Sequence, residues 1–364
     1  MSRKLLRLLA LASIGLVAPT AALAASTTGA LSATTTTTTT STSSSTATTT
    51  TTTTTSSTTT TTSTTTTVKP KPKRGSLALF FPGIYAVAHQ PVTIPGRSVE
   101  VDGVIHPYVA GQWVTVKAYL GPRLVKQSRL RIKPGRGFFY GRFATRLSSP
   151  GVGTVKVQVT HDKTSAQVGF TASRAFSALD THVGFGSGGR FVQLIQQRLA
   201  ALHFWIPQTG LYDNGTGLAI DAYHRLLRWG VSQSLDSKTI TWLLNGWGEF
   251  KVRYGSHGHH AEGNLGLQLL ALVDGSNVNY IFPISSGKPS TPTVLGNFHI
   301  YQRTPGYLPD GMYYSSFFIG GYAIHGYDPA PDYPASHGCM RLPIPDAIPA
   351  YNWLRMGDAV DVYY

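Results

Sequence analysis

The sequence predicts a multidomain, mainly β chain with one short helical unit, and three observations carry that prediction. Apolar and polar residues alternate with period two between Leu77 and about Ala178. Apolar residues then recur at three- and four-residue steps as far as Gly246, and strand-like runs return from Phe250 to Tyr364. The 364 residues carry 31 Lys+Arg against 16 Asp+Glu, a net charge of +15. Read as dispersed over strands, loops and helices, this charge would draw the chain to anionic surfaces such as wall polymers or lipid headgroups. Nucleic acid is not expected as a partner, because no binding motif for it is present.

The first residues, MSRKLLRLLALASIGLVAPTAALAAS, combine Arg3, Lys4 and Arg7 with an apolar run and the small-x-small triplet Ala22-Leu23-Ala24. Residues 1–25 are expected to be a secretory signal peptide, with an uncleaved membrane anchor as the alternative. Export to the cell wall or periplasm follows, with membrane contact only if the segment is retained. Residues 26–67 are almost all Thr and Ser, followed by VKPKPKRGS, and the linker is set at residues 26–75. With no apolar side chains to offset the entropy of ordering, they are expected to form a disordered linker.

Between residues 76 and 178 four runs read as strands: Gln112 to Leu120, Arg123 to Ile132, Gly137 to Leu147 and Gly153 to His161. Val114, Val116 and Ala118 alternate with Thr115 and Lys117, and Val155, Val157 and Val159 with Lys156 and Gln158. Short strands punctuated by Gly-Pro and Pro-Gly predict a small immunoglobulin-like β-sandwich, its aromatic residues in the core, serving as a spacer or wall-facing module.

In RFVQLIQQRLAALHFW, the positions Phe191, Leu194, Ile195, Leu199 and Leu202 form one helical face. A second helix fits TGLAIDAYHRLLRWG, capped by Thr216 or Asp213 and ended by Gly230; a third fits SKTITWLLNG, with Ser237 as cap and Gly246 as stop. Together these segments, residues 186–247, resemble the three-helix peptidoglycan-binding domain that accompanies many wall enzymes. Tyr223-His224 stands where that family usually has Phe-Gln. The resemblance implies contact with wall glycan, or a purely structural role.

Residues 250–364 are expected to be a β-rich domain with strands at Leu265 to Gly275, Asn277 to Lys288 and Gly296 to Thr304, and a hairpin at Asp274-Gly275. PDAIPAYNWLRMG is the one helix candidate, which Pro349 should interrupt or confine to one end. HGHH, residues 257–260, is expected to be a solvent-facing loop and no metal site is assigned. No cofactor is expected.

Cys339, in PASHGCMRLP, is the only cysteine. A thiol used as nucleophile needs a base, because at its ordinary pKa of about 8.5 it is only a few per cent thiolate at neutral pH. His337 stands two residues away; His325 lies at the end of the apolar run YAIHG and could approach across a neighbouring strand. Gly338 permits a backbone that turns successive N–H groups toward one point, as an oxyanion hole requires. The residues alone support a Cys-His acyl-transfer site and leave the pairing open.

The string His325-Gly326 followed by Ser336-His337-Gly338-Cys339-Met340-Arg341 resembles the signature of L,D-transpeptidases, the YkuD-type domain. SSGKPSTPTVLGNFHIY and GMYYSSFFIGGYAIHG resemble further motifs of that family, in its order; Val294-Leu295 replaces a proline common there. The resemblance implies Cys339 as nucleophile and His325 as proton acceptor and donor. It implies that the Gly326 carbonyl orients the base and that the N–H groups of His337, Gly338 and Cys339 are oxyanion donors. Arg341 would hold the site or a substrate carboxylate, or make a structural salt bridge, while Ser336 would shape the turn. The partners implied are peptidoglycan stem peptides. The expected reaction is 3→3 cross-linking through a thioester with release of D-alanine; the alternatives are an L,D-carboxypeptidase acting on the same stems, or a non-catalytic wall-binding scaffold.

Overall fold

A computed structural model describes residues 71–364; the expected signal peptide and nearly all of the Thr/Ser-rich linker lie outside the described residues. The described chain is a multidomain, mainly β structure with four sheets and four α-helices.

The first ten strands form two sheets. One has the order β1 (Ser76–Phe80), β4 (Val99–His106), β8 (Gly141–Leu147), β7 (Lys133–Pro134). The other runs β2 (Tyr85–Val87), β3 (Gln90–Thr93), β10 (Phe170–Ala178), β9 (Gly153–His161), β5 (Trp113–Leu120), β6 (Arg123–Arg131). The alternating valines of β5 and β9 face inward with Val101, Ile105, Phe143 and Phe176, closing one apolar core. β8 starts at Gly141, so Gly137 to Tyr140 is not strand, and Phe138 and Phe139 are exposed instead of buried. The expectation that the aromatic residues here lie in the core therefore fails at these two positions.

Helices α1 (Arg190–Ala201), α2 (Asn214–Leu226) and α3 (Ser237–Asn245) follow. The caps of α2 and α3 are carboxylates: Asp213 accepts from the Thr216 N–H at 2.9 Å, and Asp236, one residue before the expected Ser237, accepts from the Thr239 N–H at 2.6 Å. α2 stops four residues short of Gly230, where Arg228 turns left-handed. The helices bury their faces against one another and also against Leu269, Ala271, Val273 and Ile281 of the next sheet, so their core continues into the C-terminal region.

That region has a five-stranded sheet ordered β13 (Asn277–Pro283), β12 (Leu269–Asp274), β11 (His259–Asn264), β19 (Ala359–Tyr363), β14 (Gly296–His299). A four-stranded sheet packs on it, ordered β15 (Gln302–Tyr307), β16 (Tyr313–Ile319), β17 (Tyr322–Gly326), β18 (Met340–Leu342). Leu265 to Gln268 is a turn, not the start of a strand, and the expected histidine loop is partly strand β11. α4 (Ile344–Trp353) continues through Pro349, which was expected to interrupt the helix or confine it to one end. The proline lacks only the N–H that would reach back one turn to Pro345.

Candidate functional site

β17 and β18 are parallel, with Ile324 opposite Met340, His325 opposite Arg341 and Gly326 opposite Leu342. Residues directly opposite in adjacent strands project to the same sheet face, so His325 and Arg341 share one. Cys339 immediately precedes β18. α4 packs on β17 so closely that a Cβ at Gly326 would lie 2.6 Å from that of Ala347, which restricts the position to glycine.

His325 is buried, and its Nδ1 lies 2.8 Å from the Gly326 carbonyl oxygen. A carbonyl can only accept, so Nδ1 carries the hydrogen and Nε2 keeps its lone pair. Burial, with a smaller contribution from the Arg341 charge, lowers the imidazole pKa to about 4 despite the Gly326 hydrogen bond. Burial likewise raises the Cys339 thiol, against the smaller opposing effects of the Ala323 N–H and Arg341. At neutral pH both groups are uncharged. The thiol donates weakly to the Gly321 carbonyl at 3.8 Å.

The turn before Cys339 is built by Ser336. Its hydroxyl donates to the Cys339 carbonyl at 2.6 Å and accepts from the Gly338 N–H at 3.1 Å. Gly338 is therefore not a free oxyanion donor here, unlike the expectation, because its N–H is already engaged. The N–H groups of His337 and Cys339 have no backbone partner among the described residues. Gly338 has φ +123°, and a Cβ would meet the Tyr322 ring at 2.3 Å, so both conformation and space require glycine.

The SSGK segment cradles this turn. The Ser286 carbonyl accepts from the N–H groups of Ala335 and Ser336, both at 2.9 Å; Lys288 N–H donates to the Ser336 carbonyl at 3.0 Å and Thr291 Oγ1 to the same oxygen at 3.1 Å. Ser285 and Arg341 exchange two backbone hydrogen bonds, giving β18 a second neighbour. His337 is exposed, its Nε2 3.3 Å from Lys288 Nζ, so the nearer histidine in sequence is turned away into solvent. The Arg341 guanidinium lies 3.9 Å from the centre of the Tyr327 ring, with no carboxylate in ion-pair contact among the described residues. Of its expected roles, the structural salt bridge is absent among the described residues, while Nη1 donates to the Ala335 carbonyl at 3.5 Å, at the start of the turn.

Sequence reasoning missed the support behind the turn. Gln268 binds Ser286 twice, Nε2 to Oγ at 2.8 Å and Oε1 from N–H at 3.0 Å. Behind Gln268, Arg225 of α2 donates from Nη1 to the carbonyls of Gln268 (3.2 Å) and Ile284 (3.0 Å), and pairs with Asp221 at 2.6 Å. The i,i+4 spacing of Asp221 and Arg225 in a helix was the available signal.

The HGHH histidines all take carboxylate partners: His257 pairs with Asp361 (3.0 Å), His259 with Asp274 (2.6 Å) and buried His260 with buried Glu262 (3.3 Å). Burial works against charge on both members of the last pair. Hydrogen bonds from His260, Tyr363 and the N–H groups of Tyr254 and Arg253 outweigh it, holding Glu262 below its ordinary value; Glu262 holds His260 above its own.

Residues 259–362 match the family model of the L,D-transpeptidase catalytic domain. Among solved structures, an L,D-transpeptidase from Xylanimonas cellulosilytica is 29% identical, covering 50% of this chain and 98% of its own, with a TM-score of 0.46. One from Stackebrandtia nassauensis is 21% identical over 50% and 96%, with a TM-score of 0.33. The catalytic domain of an Enterococcus faecium L,D-transpeptidase is 25% identical over 29% and 98%, with a TM-score of 0.25. Comparison with curated proteins gives no match. The match to the L,D-transpeptidase catalytic domain, YkuD, thus falls on the C-terminal region of this chain, with the β17–β18 pair inside it.

Proposed function

We propose that the chain is an exported L,D-transpeptidase, a cysteine acyltransferase that cross-links peptidoglycan stems. The observation that carries this reading is the lone pair on His325 Nε2, secured by the Nδ1 hydrogen bond to Gly326, one strand away from the only thiol.

In the proposed mechanism His325 takes the Cys339 proton as sulfur attacks the carbonyl of the third residue of a tetrapeptide stem. The oxyanion is held by the N–H groups of His337 and Cys339. Collapse expels D-alanine, whose nitrogen receives the proton from His325, and leaves a thioester. An amine of a second stem then loses its proton to His325 and attacks, releasing the thiol and forming a 3→3 cross-link. Because both groups are neutral at rest, proton transfer accompanies attack instead of preceding it. Active-site hydrogen bonds commonly tighten only around substrate, which fits a resting thiol aimed at Gly321. Arg341, held by Tyr327, is positioned as a receptor for a stem carboxylate.

The N-terminal sheets are read as an immunoglobulin-like sandwich, supported by the four- and six-strand orders and their shared core. The helical unit is read as a wall-glycan contact. Incubating the full chain with a carbapenem and with tetrapeptide stems, followed by intact mass, tests the reading. A covalent adduct is expected on the wild type and none on Cys339→Ala; an equal adduct on both would overturn it. Adding an acceptor amine separates cross-linking, in which the dimeric product grows, from trimming, in which only D-alanine and tripeptide accumulate.

A further inference from the structure

The positive charge has a location. Residues 71–178 hold 16 Lys+Arg against 3 Asp+Glu, a net +13, whereas residues 179–364 hold 11 against 13, a net −2. Among the described residues, the positive charge that the sequence was expected to disperse is thus carried by the sandwich.

The two ends of the sandwich differ. One meets the helices: the Tyr85 hydroxyl donates to the Leu244 carbonyl, Arg97 reaches Asn245 Oδ1 at 3.2 Å, and Val87 and Val92 join the helical core. At the opposite end, where β5 begins at Trp113, β9 ends and β10 begins, Phe138 and Phe139 stand 69% and 78% exposed. Their exposure is built in. Gly135 N–H donates to the Tyr140 carbonyl at 2.7 Å and Phe138 N–H to the Gly135 carbonyl at 3.2 Å, closing a tight loop that holds both rings outward.

Exposed Arg131, Lys133, Arg136 and Arg142 surround this loop or lead into it, none with a carboxylate in ion-pair contact among the described residues. Lys73, exposed between exposed Lys71 and Arg74, bridges to Gln167 at the same end, so the chain enters the sandwich here. Asp162, directly after β9, is the acidic residue at this end. A soluble polyanion would satisfy the cations and leave two phenylalanine rings in water. An anionic bilayer satisfies both, with the rings below the headgroups and the cations at phosphate level.

We propose that the 135–140 loop and its flanking cations form a docking tip for an anionic lipid bilayer, with Phe138 and Phe139 entering the headgroup–acyl boundary. The test uses the full-length chain carrying Phe139→Trp and vesicles with brominated acyl chains, either pure phosphatidylcholine or an equal mixture with phosphatidylglycerol. The emission added by the new tryptophan is expected to be quenched in the mixed vesicles and not in the neutral ones. Adding Arg131→Gln, Lys133→Gln and Arg136→Gln should weaken the vesicle affinity read from that signal roughly 100-fold, at about fivefold per charge. The proposal is overturned if the added emission is not quenched, if quenching ignores anionic lipid, or if removing the charges leaves it unchanged. Binding of inorganic polyphosphate with no quenching by vesicles would assign the tip to a soluble polyanion instead.

Discussion

His325 illustrates how one hydrogen bond and one degree of burial set the chemistry of a residue. The Gly326 carbonyl fixes its tautomer, and desolvation lowers its pKa to about 4. As the proposed base, His325 is unprotonated over most of the pH range, and the acid limb of kcat/KM for stem acylation is expected near pH 4, far below the ordinary histidine value of about 6.5. The same shift makes stability pH-dependent. Between pH 6.5 and 4 the unfolded chain binds a proton at this site that the folded chain refuses, so stability falls as the pH falls through that window, by roughly 3 kcal/mol at its lower end. His325→Gln should remove this component of the acid destabilisation in unfolding curves; an unchanged curve would contradict the assignment. At this scale the sequence was informative about which residues matter. Residue spacing alone left the pairing open, and His325 was implied only by the motif resemblance, because a two-residue separation does not reveal that His337 faces solvent.

Among the elements, the decisive arrangement is the parallel pairing of β17 with β18, which brings Cys339, the residue just before β18, next to the strand that carries His325, fourteen positions earlier. The turn between them is supported from behind by Ser286, Gln268 and Arg225 in succession, so a helix outside the matched catalytic region helps place the thiol. Arg225→Met is expected to destabilise the fold by about 3–5 kcal/mol, since it leaves the buried Asp221 carboxylate without its cation. Denaturant unfolding measures that loss, and acylation of Cys339 should slow in the folded fraction. The strands of the sandwich were legible from alternation. The turn at Leu265 to Gln268 was not, because four largely apolar residues before a strand look like its continuation.

At the scale of the whole molecule, the helices and the five-stranded sheet share one apolar core. Phe204, 2% exposed, sits edge-on to Tyr223 of α2 at 5.7 Å, and its backbone bridges to Ile281 of β13. Phe204→Ala should cost about 3–5 kcal/mol and lower the thermal transition of the helical and catalytic regions together. Two separate transitions, with only the helical one shifted, would show that the regions unfold independently. The sequence by itself determined the class of fold, the helical and strand periodicities and the His-Gly and Ser-His-Gly-Cys strings, because these are local patterns of residue type. Only the tertiary structure decided that Ser336 occupies the Gly338 N–H, that Arg341 pairs with no carboxylate among the described residues, that Phe138 and Phe139 stand in solvent and that Arg131, Lys133, Arg136 and Arg142 lie around their loop. Each of those depends on which distant segments meet, and meeting is set by packing and strand register, which no local pattern encodes.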